Sequence, residues 1–354
     1  MDTHTNASSE SPLHHASLIG HHRCIKLLLD RNADINARNH YSETPLHRAS
    51  SSGYRRCIMV LLDRNADINA CNEYSETPLH RASSNGHHQC IELLLDRNAD
   101  INARIKYSGT PLHHASSNGH HQCIELLLDR NADINARTKY SGTPLHHASS
   151  NGQHQCIEVL LDRNADINAC NHYSETPLHH ASSSGYRRCI EVLLDRNADI
   201  NACNDYSETP LHDASSSGHH RCIELLLDRN ADINACNDYS ETPLHHASSS
   251  GHHRCIEVLL DRNADINACN EYSETPLHHA SSSGHHRCIE LLLDRRADIN
   301  ACTKYSETPL HHASSNGHLR CIEVLNDHGA EKSIINVRCR RRRAKRAHYL
   351  TYIQ

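Results

Sequence analysis

Apolar side chains return along most of the chain at two helical spacings separated by polar connections. Around residue 50, Leu46 and Ala49 form a narrow apolar stripe. This predicts a short helix beginning at Thr44-Pro45, with Thr44 as N-cap and Pro45 at the first helical position, and ending near Gly53. Cys57, Ile58, Leu61 and Leu62 then share one face at helical spacing, predicting a second helix from about Arg55 to Asp63. Asn65 sits where a helix often closes in a left-handed residue. Ala66 through Glu76 carries no strong helix signal and reads as a hairpin-like connection.

The same phrase recurs. Thr44, Thr77, Thr110 and onward to Thr308 are spaced by 33 residues, and Ser11 extends the series backwards, giving ten units over residues 11–337. One unit cannot stand alone. About six buried apolar side chains at roughly 1.5–3 kcal/mol each fall well below the roughly 1.5 kcal/mol of conformational entropy for every ordered residue. Stacking on neighbours must supply the difference, so the fold class is an all-α repeat solenoid of helix-turn-helix units joined by β-hairpin-like loops.

Composition changes the picture less than it first promises. The 354 residues include 36 His and 17 Cys but no Trp or Phe. Ten Cys share one repeat phase and six another, all ten Pro follow the Thr or Ser positions, and ten of the 13 Gly share a phase. The unusual content is therefore one short unit copied ten times. The longest apolar run, Cys57 to Leu62, is too short to span a bilayer, and the start, MDTHTNASSE, has no secretory pattern. Reduced thiols and an intracellular, cytoplasmic or nuclear, setting are expected.

The stretch TPLHHA, the Gly-His that follows, the aliphatic second helix and N-A-D-I-N-A resemble the ankyrin repeat over more than nine-tenths of the chain. The resemblance implies that the His of TPLH (His47, His80 and their equivalents) fastens neighbouring turns. It also implies that the first His after the helix-turn Gly packs in that turn while the second is exposed. Ligands of such stacks are usually gripped by hairpin tips and by the concave face of the first helices. Departures are visible. Ser42 and Ser75 stand where the family has Gly, Ser50 replaces an Ala, and Asn or Arg296 replaces the Gly of G-A-D in all but the last unit.

Candidate chemistry is weighed against this scaffold. Ladder geometry, with equivalents about 8–10 Å apart, argues against a four-ligand metal cage, and no metal or other cofactor is expected. No phosphate-binding, nucleophile-elbow or zinc-protease motif is present, and Cys288 with His285 repeats on a core face, so no catalytic residue is assigned and no enzyme is expected. The six loop cysteines (Cys71, Cys170, Cys203, Cys236, Cys269, Cys302) should be more exposed and oxidisable than the helix-face set. The variable positions are better candidates for binding one or more proteins. At the hairpins and on the first helices these are His40, Arg48, Glu73, Arg81, Arg104, Lys106, Arg137, Lys139, Asp205, Asp238, Glu271 and Lys304, a basic middle flanked by an acidic stretch. Units three to five also share Asn85, Asn118 and Asn151.

Segment 338–354 breaks phase. Arg338, Arg340, Arg341, Arg342, Arg343, Lys345 and Arg346 concentrate seven cations, leaving about −13 on the preceding chain out of a total of −6. This reads as a nuclear-import or polyanion-binding arm; nucleic acid is not expected to bind elsewhere. The expected organisation is an N-terminal segment 1–10, a repeat domain 11–337 and a basic tail 338–354. The expected function is a non-catalytic protein-binding scaffold or adaptor. The rivals are a metal- or redox-responsive His/Cys stack and a nuclear regulator directed by the tail. With an ordinary histidine pKa near 6.5, a fall from pH 7 to about 6 is expected to add ten or more charges.

Overall fold

The computed structural model describes residues 10–106 and 109–331. Positions 1–9, 107–108 and 332–354, including the arginine-rich run Arg338 to Arg346, lie outside them. The chain divides into two units, Met1–Pro177 and Leu178–Gln354. The first holds α1 (Pro12–Leu18), α2 (His22–Asp30), α3 (Pro45–Ser51), α4 (Arg55–Asp63), α5 (Pro78–Ser84), α6 (His88–Asp96), α7 (Pro111–Asn118), α8 (His121–Asp129), α9 (Pro144–Ser150) and α10 (His154–Asp162). The second continues with α11 (Pro177–Ser183), α12 (Arg187–Asp195), α13 (Pro210–Ser216), α14 (His220–Asp228), α15 (Pro243–Ser249), α16 (His253–Asp261), α17 (Pro276–Ser282), α18 (His286–Asp294), α19 (Pro309–Ser315) and α20 (Leu319–Asp327). Among the described residues there is no strand, only an isolated bridge between Ile105 and Gly109, and no helix is long and apolar enough to cross a membrane.

Within each unit first helices stack on first helices, as in α1 on α3 or α15 on α17, and second on second, as in α4 on α6 or α14 on α16. The core is the seam between them. Leu46, Ala49, Cys57, Ile58 and Leu61 are fully buried, as are their equivalents Leu244, Ala247, Cys255, Ile256 and Leu259. The core role expected of the helix-face cysteines fails at Cys24, which is exposed. No described residue covers the outer side of α2, where Leu27 is also 63% exposed.

The first helices other than α11 each begin with a reciprocal cap. The hydroxyl of Thr77 accepts the His80 amide, and Nδ1 of His80 accepts from the Thr77 amide at 3.2 Å and from its hydroxyl at 2.9 Å. Two donors at Nδ1 leave the ring proton on Nε2, which donates to a carbonyl of the next repeat. For His47 that carbonyl is Glu76 at 2.9 Å, and for His212 it is Glu241 at 3.1 Å. Burial, opposed only in part by these carbonyl bonds, drives the pKa of His80, His113 and His245 down to about 3 and that of His212 and His278 to about 4. The expectation of ten or more new charges near pH 6 therefore does not extend to these five histidines, which stay neutral in the fold.

The helix-turn Gly and following His are also one device. Gly53 has φ +77°, and a Cβ there would lie 2.6 Å from the His87 ring of the next repeat. That ring's Nε2 reaches the Ser51 carbonyl at 3.0 Å. Asn85, Asn118 and Asn151 close their helices by donating to carbonyls four residues back at 2.8–3.0 Å, and reach the preceding repeat's serine hydroxyl. Arg296 adopts φ +68°, alongside Asn residues at +62° to +66° in the eight preceding repeats. Ser42, Ser75 and six equivalents also lie between +57° and +66°.

Candidate functional site

Six hairpin tips owe their shape to an asparagine side chain (Asn39, Asn72, Asn171, Asn204, Asn237 and Asn270), and at Thr303 a threonine hydroxyl accepts the same two amides. Oδ1 of Asn72 accepts the backbone amides of Tyr74 and Glu76, both at 2.9 Å, while the Asn72 backbone amide donates to the Glu76 carbonyl at 2.9 Å. This loop leaves Ser75 left-handed and throws residues 73 and 74 outward. The tip amide is used as well. Glu73, His172, Asp238, Glu271 and Lys304 each donate to the carbonyl of the preceding repeat's tyrosine at 2.8–3.0 Å. The backbone of the tips is thus stitched within and between repeats.

On this rail His40, Glu73, Lys106, Lys139, Asp205, Asp238 and Glu271 are exposed. Lys304 is half-buried with Nζ 3.7 Å from the Tyr272 ring centre. Beside these charges runs a feature that sequence reasoning missed, a row of exposed tyrosines. Tyr74, Tyr140, Tyr173, Tyr206, Tyr239 and Tyr305 are each at least 50% exposed, and Tyr41 and Tyr272 are less so. Their 33-residue phase was the available signal. Tyrosine on a rigid backbone offers a large amphipathic contact with few torsions to freeze.

The residue after the TPLH histidine forms a second row. Arg48 lies between Glu10 and Glu43, with Nε 3.1 Å from a Glu43 carboxylate oxygen; Arg81 lies between Glu43 and Glu76, the latter at 3.4 Å. Burial opposes ionisation of Glu43, but the hydrogen bond and charge of Arg81, with the charge of Arg48, outweigh it and lower its pKa. Both arginines are thus tied into the scaffold. At positions 246, 279 and 312 a histidine takes this place. Nε2 of His246 is 3.5 Å from Glu208 and 3.6 Å from Glu241, that of His279 is 3.4 Å from Glu241 and 3.6 Å from Glu274, and that of His312 is 3.9 Å from Glu274 and 3.6 Å from Glu307. The hydrogen bond to His279 holds Glu274 down at about 2. Burial lowers His246 despite the pull of Glu208 and Glu241.

The carboxylate row is broken at Gly109 and Gly142, which occupy the glutamate position of every other repeat. There Arg104, Lys106, Arg137 and Lys139 line a cavity of about 210 Å³. Arg104 donates to the Arg137 carbonyl at 2.8 Å and Arg137 to the Cys170 carbonyl at 2.7 Å. Among the loop thiols Cys71, Cys170, Cys203 and Cys236 are free and exposed and Cys269 is half-buried. No group of three or more His, Cys, Asp or Glu converges to hold a metal ion among the described residues.

Comparison with known proteins bears on what this rail is. A family model described as ankyrin repeats in three copies matches residues 1–72, 65–138, 137–204, 197–270 and 263–336. The chain belongs to the ankyrin repeat family. Among solved structures it is similar to the crystal structure of the human ASB11 ankyrin repeat domain. The match has 28% identity and a TM-score of 0.58, and covers 63% of this chain and 99% of that one. No curated protein matches the chain. Ankyrin repeats are in general protein–protein interaction modules.

Proposed function

We propose that this ankyrin chain is a non-catalytic protein-binding scaffold or adaptor whose repeat domain, residues 11–337, grips its partner along the hairpin tips. One observation carries the reading: exposed tyrosines alternate with variable charges on turns whose amides are already bonded. Such a surface gives up little conformational freedom when it is covered, and tyrosine is enriched at interface hot spots. His40, Glu73, Lys106, Lys139, Asp205, Asp238 and Glu271 vary in charge along the row and would choose among partners, while Arg48 and Arg81, ion-paired beneath it, would set its local shape.

The test is site-specific photo-crosslinking in the source cell. A crosslinking residue replaces Tyr206 at a tip or Arg221 on α14. A saturable protein adduct from Tyr206 and none from Arg221 is the expected result. Equal labelling from both positions would sink the assignment of the tip face. The full chain and a 1–337 truncation are compared in parallel, because loss of the adduct with the tail would move the function to residues 338–354.

A further inference from the structure

We infer that the paired hairpins carrying Arg104, Lys106, Arg137 and Lys139 form a receptor for carboxylate side chains, and that the segment seated there is a short acidic peptide of the partner. The inference deepens the scaffold reading and rests on it.

Charge is the first argument. Four cations line one cavity of about 210 Å³, and no described carboxylate lines it. Elsewhere on the stack positive groups of the inner row meet glutamates, as Arg48 meets Glu43 and Arg81 meets Glu76. Gly109 and Gly142 remove that glutamate from two consecutive repeats, the two whose hairpins hold these cations.

Geometry is the second. The guanidiniums of Arg104 and Arg137 each spend a donor on a backbone carbonyl of the following repeat, at 2.8 and 2.7 Å. A carbonyl orients the group without cancelling its charge. Each side chain retains other N–H donors in a rigid fork suited to a carboxylate. Pre-positioning lowers the ordering cost of binding.

Size and surroundings choose the ligand. The cavity admits a few carboxylate side chains. A long polyanion continuing past it would meet a chain that carries about −13 before its tail, including the exposed Glu73 of the neighbouring hairpin. A short acidic run on a protein therefore fits better than nucleic acid.

The experiment measures fluorescence anisotropy of a labelled oligoglutamate peptide, and of its glutamine counterpart, with the full chain. The notch variant R104Q/K106Q/R137Q/K139Q is compared with R188Q/R221Q/R254Q/R287Q, which removes the same charge from exposed positions on second helices. The notch variant is expected to lose affinity by about tenfold or more and the control by less than about twofold. K106Q/K139Q, which keeps both carbonyl-bound arginines, covers the case in which the quadruple variant misfolds; it should lose about threefold. Equal losses from notch and control, equal binding of the glutamine peptide, or a larger loss of oligonucleotide than of acidic-peptide affinity in the notch variant would overturn the inference. A protein crosslinked at Tyr206 with no peptide binding at the notch would defeat this inference alone. Peptide binding without any crosslinked partner would defeat the scaffold reading alone.

Discussion

Acid should unfold this protein through its buried histidines. The ring of His245 is fully buried, accepts two donors from Thr242 at Nδ1 and reaches the Glu274 carbonyl through Nε2 at 3.1 Å. A second proton on Nδ1 would break the cap and place an ion in the core. Burial, with the neighbouring His279, lowers its pKa from 6.5 to about 3. Between those values the unfolded chain binds the proton and the folded chain does not, so stability rises with pH. The contribution is complete above about 6.5 and drains away as pH falls toward 3. At about pH 5.5 each such site has lost roughly 1.4 kcal/mol, and the five histidines held at about 3 or 4 together roughly 7 kcal/mol. That is comparable to the whole stability of a typical domain. Glu274, held at about 2, stays ionised across this window and does not offset the loss. Urea unfolding followed by circular dichroism at about pH 7.5, 6.5 and 5.5 should show a steep fall in midpoint. His245→Gln, which cannot titrate, should flatten the slope by about one proton. Equal stability at pH 7.5 and 5.5 would refute the reasoning.

Three further outcomes are expected. The buried Ser215 hydroxyl has no hydrogen-bond partner, so Ser215→Ala should raise stability by about 1 kcal/mol in thermal unfolding, with greater gains when equivalents such as Ser248 are changed too. Arg296→Asn should relieve the left-handed strain at φ +68° and add about 0.5–1 kcal/mol, read as a higher Tm. Arg296→Gly should gain less, because Gly also loosens the unfolded chain. In a timed thiol-titration assay Cys71, Cys170, Cys203 and Cys236 should react at once. Cys123, Cys189, Cys255 and Cys288, pushed by burial up to about 12, should react only on unfolding.

Local chemistry made the helices legible. Pro45 at the first helical position, Gly53 in the turn and Asn65 beyond the second helix bracket segments expected from Thr44 to near Gly53 and from Arg55 to Asp63; the helices run Pro45–Ser51 and Arg55–Asp63. The left-handed Ser75 was not legible, since nothing in serine announces it. The Asn72 side chain imposes it by holding two amides at once. Arg48 and Arg81 could be read only as variable charges on the first helices, because the glutamate of the preceding repeat that holds each of them is 38 residues away in sequence. The lysine at position 304 was readable as a charge at a tip; that it lies over Tyr272 of the preceding repeat emerges only once the loops are stacked. Phase is written in the sequence, and the meeting of two phases is written in the stack.

Contacts between repeats are made by equivalent atoms each time: His47 to the carbonyl of Glu76, Arg64 to Asp30, the Asp67 amide to Asn36. Cutting out one period inside either unit would bring the same donor to the same kind of acceptor across the new junction. Copy number is then a nearly neutral variable that genetic recombination can adjust, lengthening or shortening the reach of the molecule in steps of about 10 Å without redesigning a single joint.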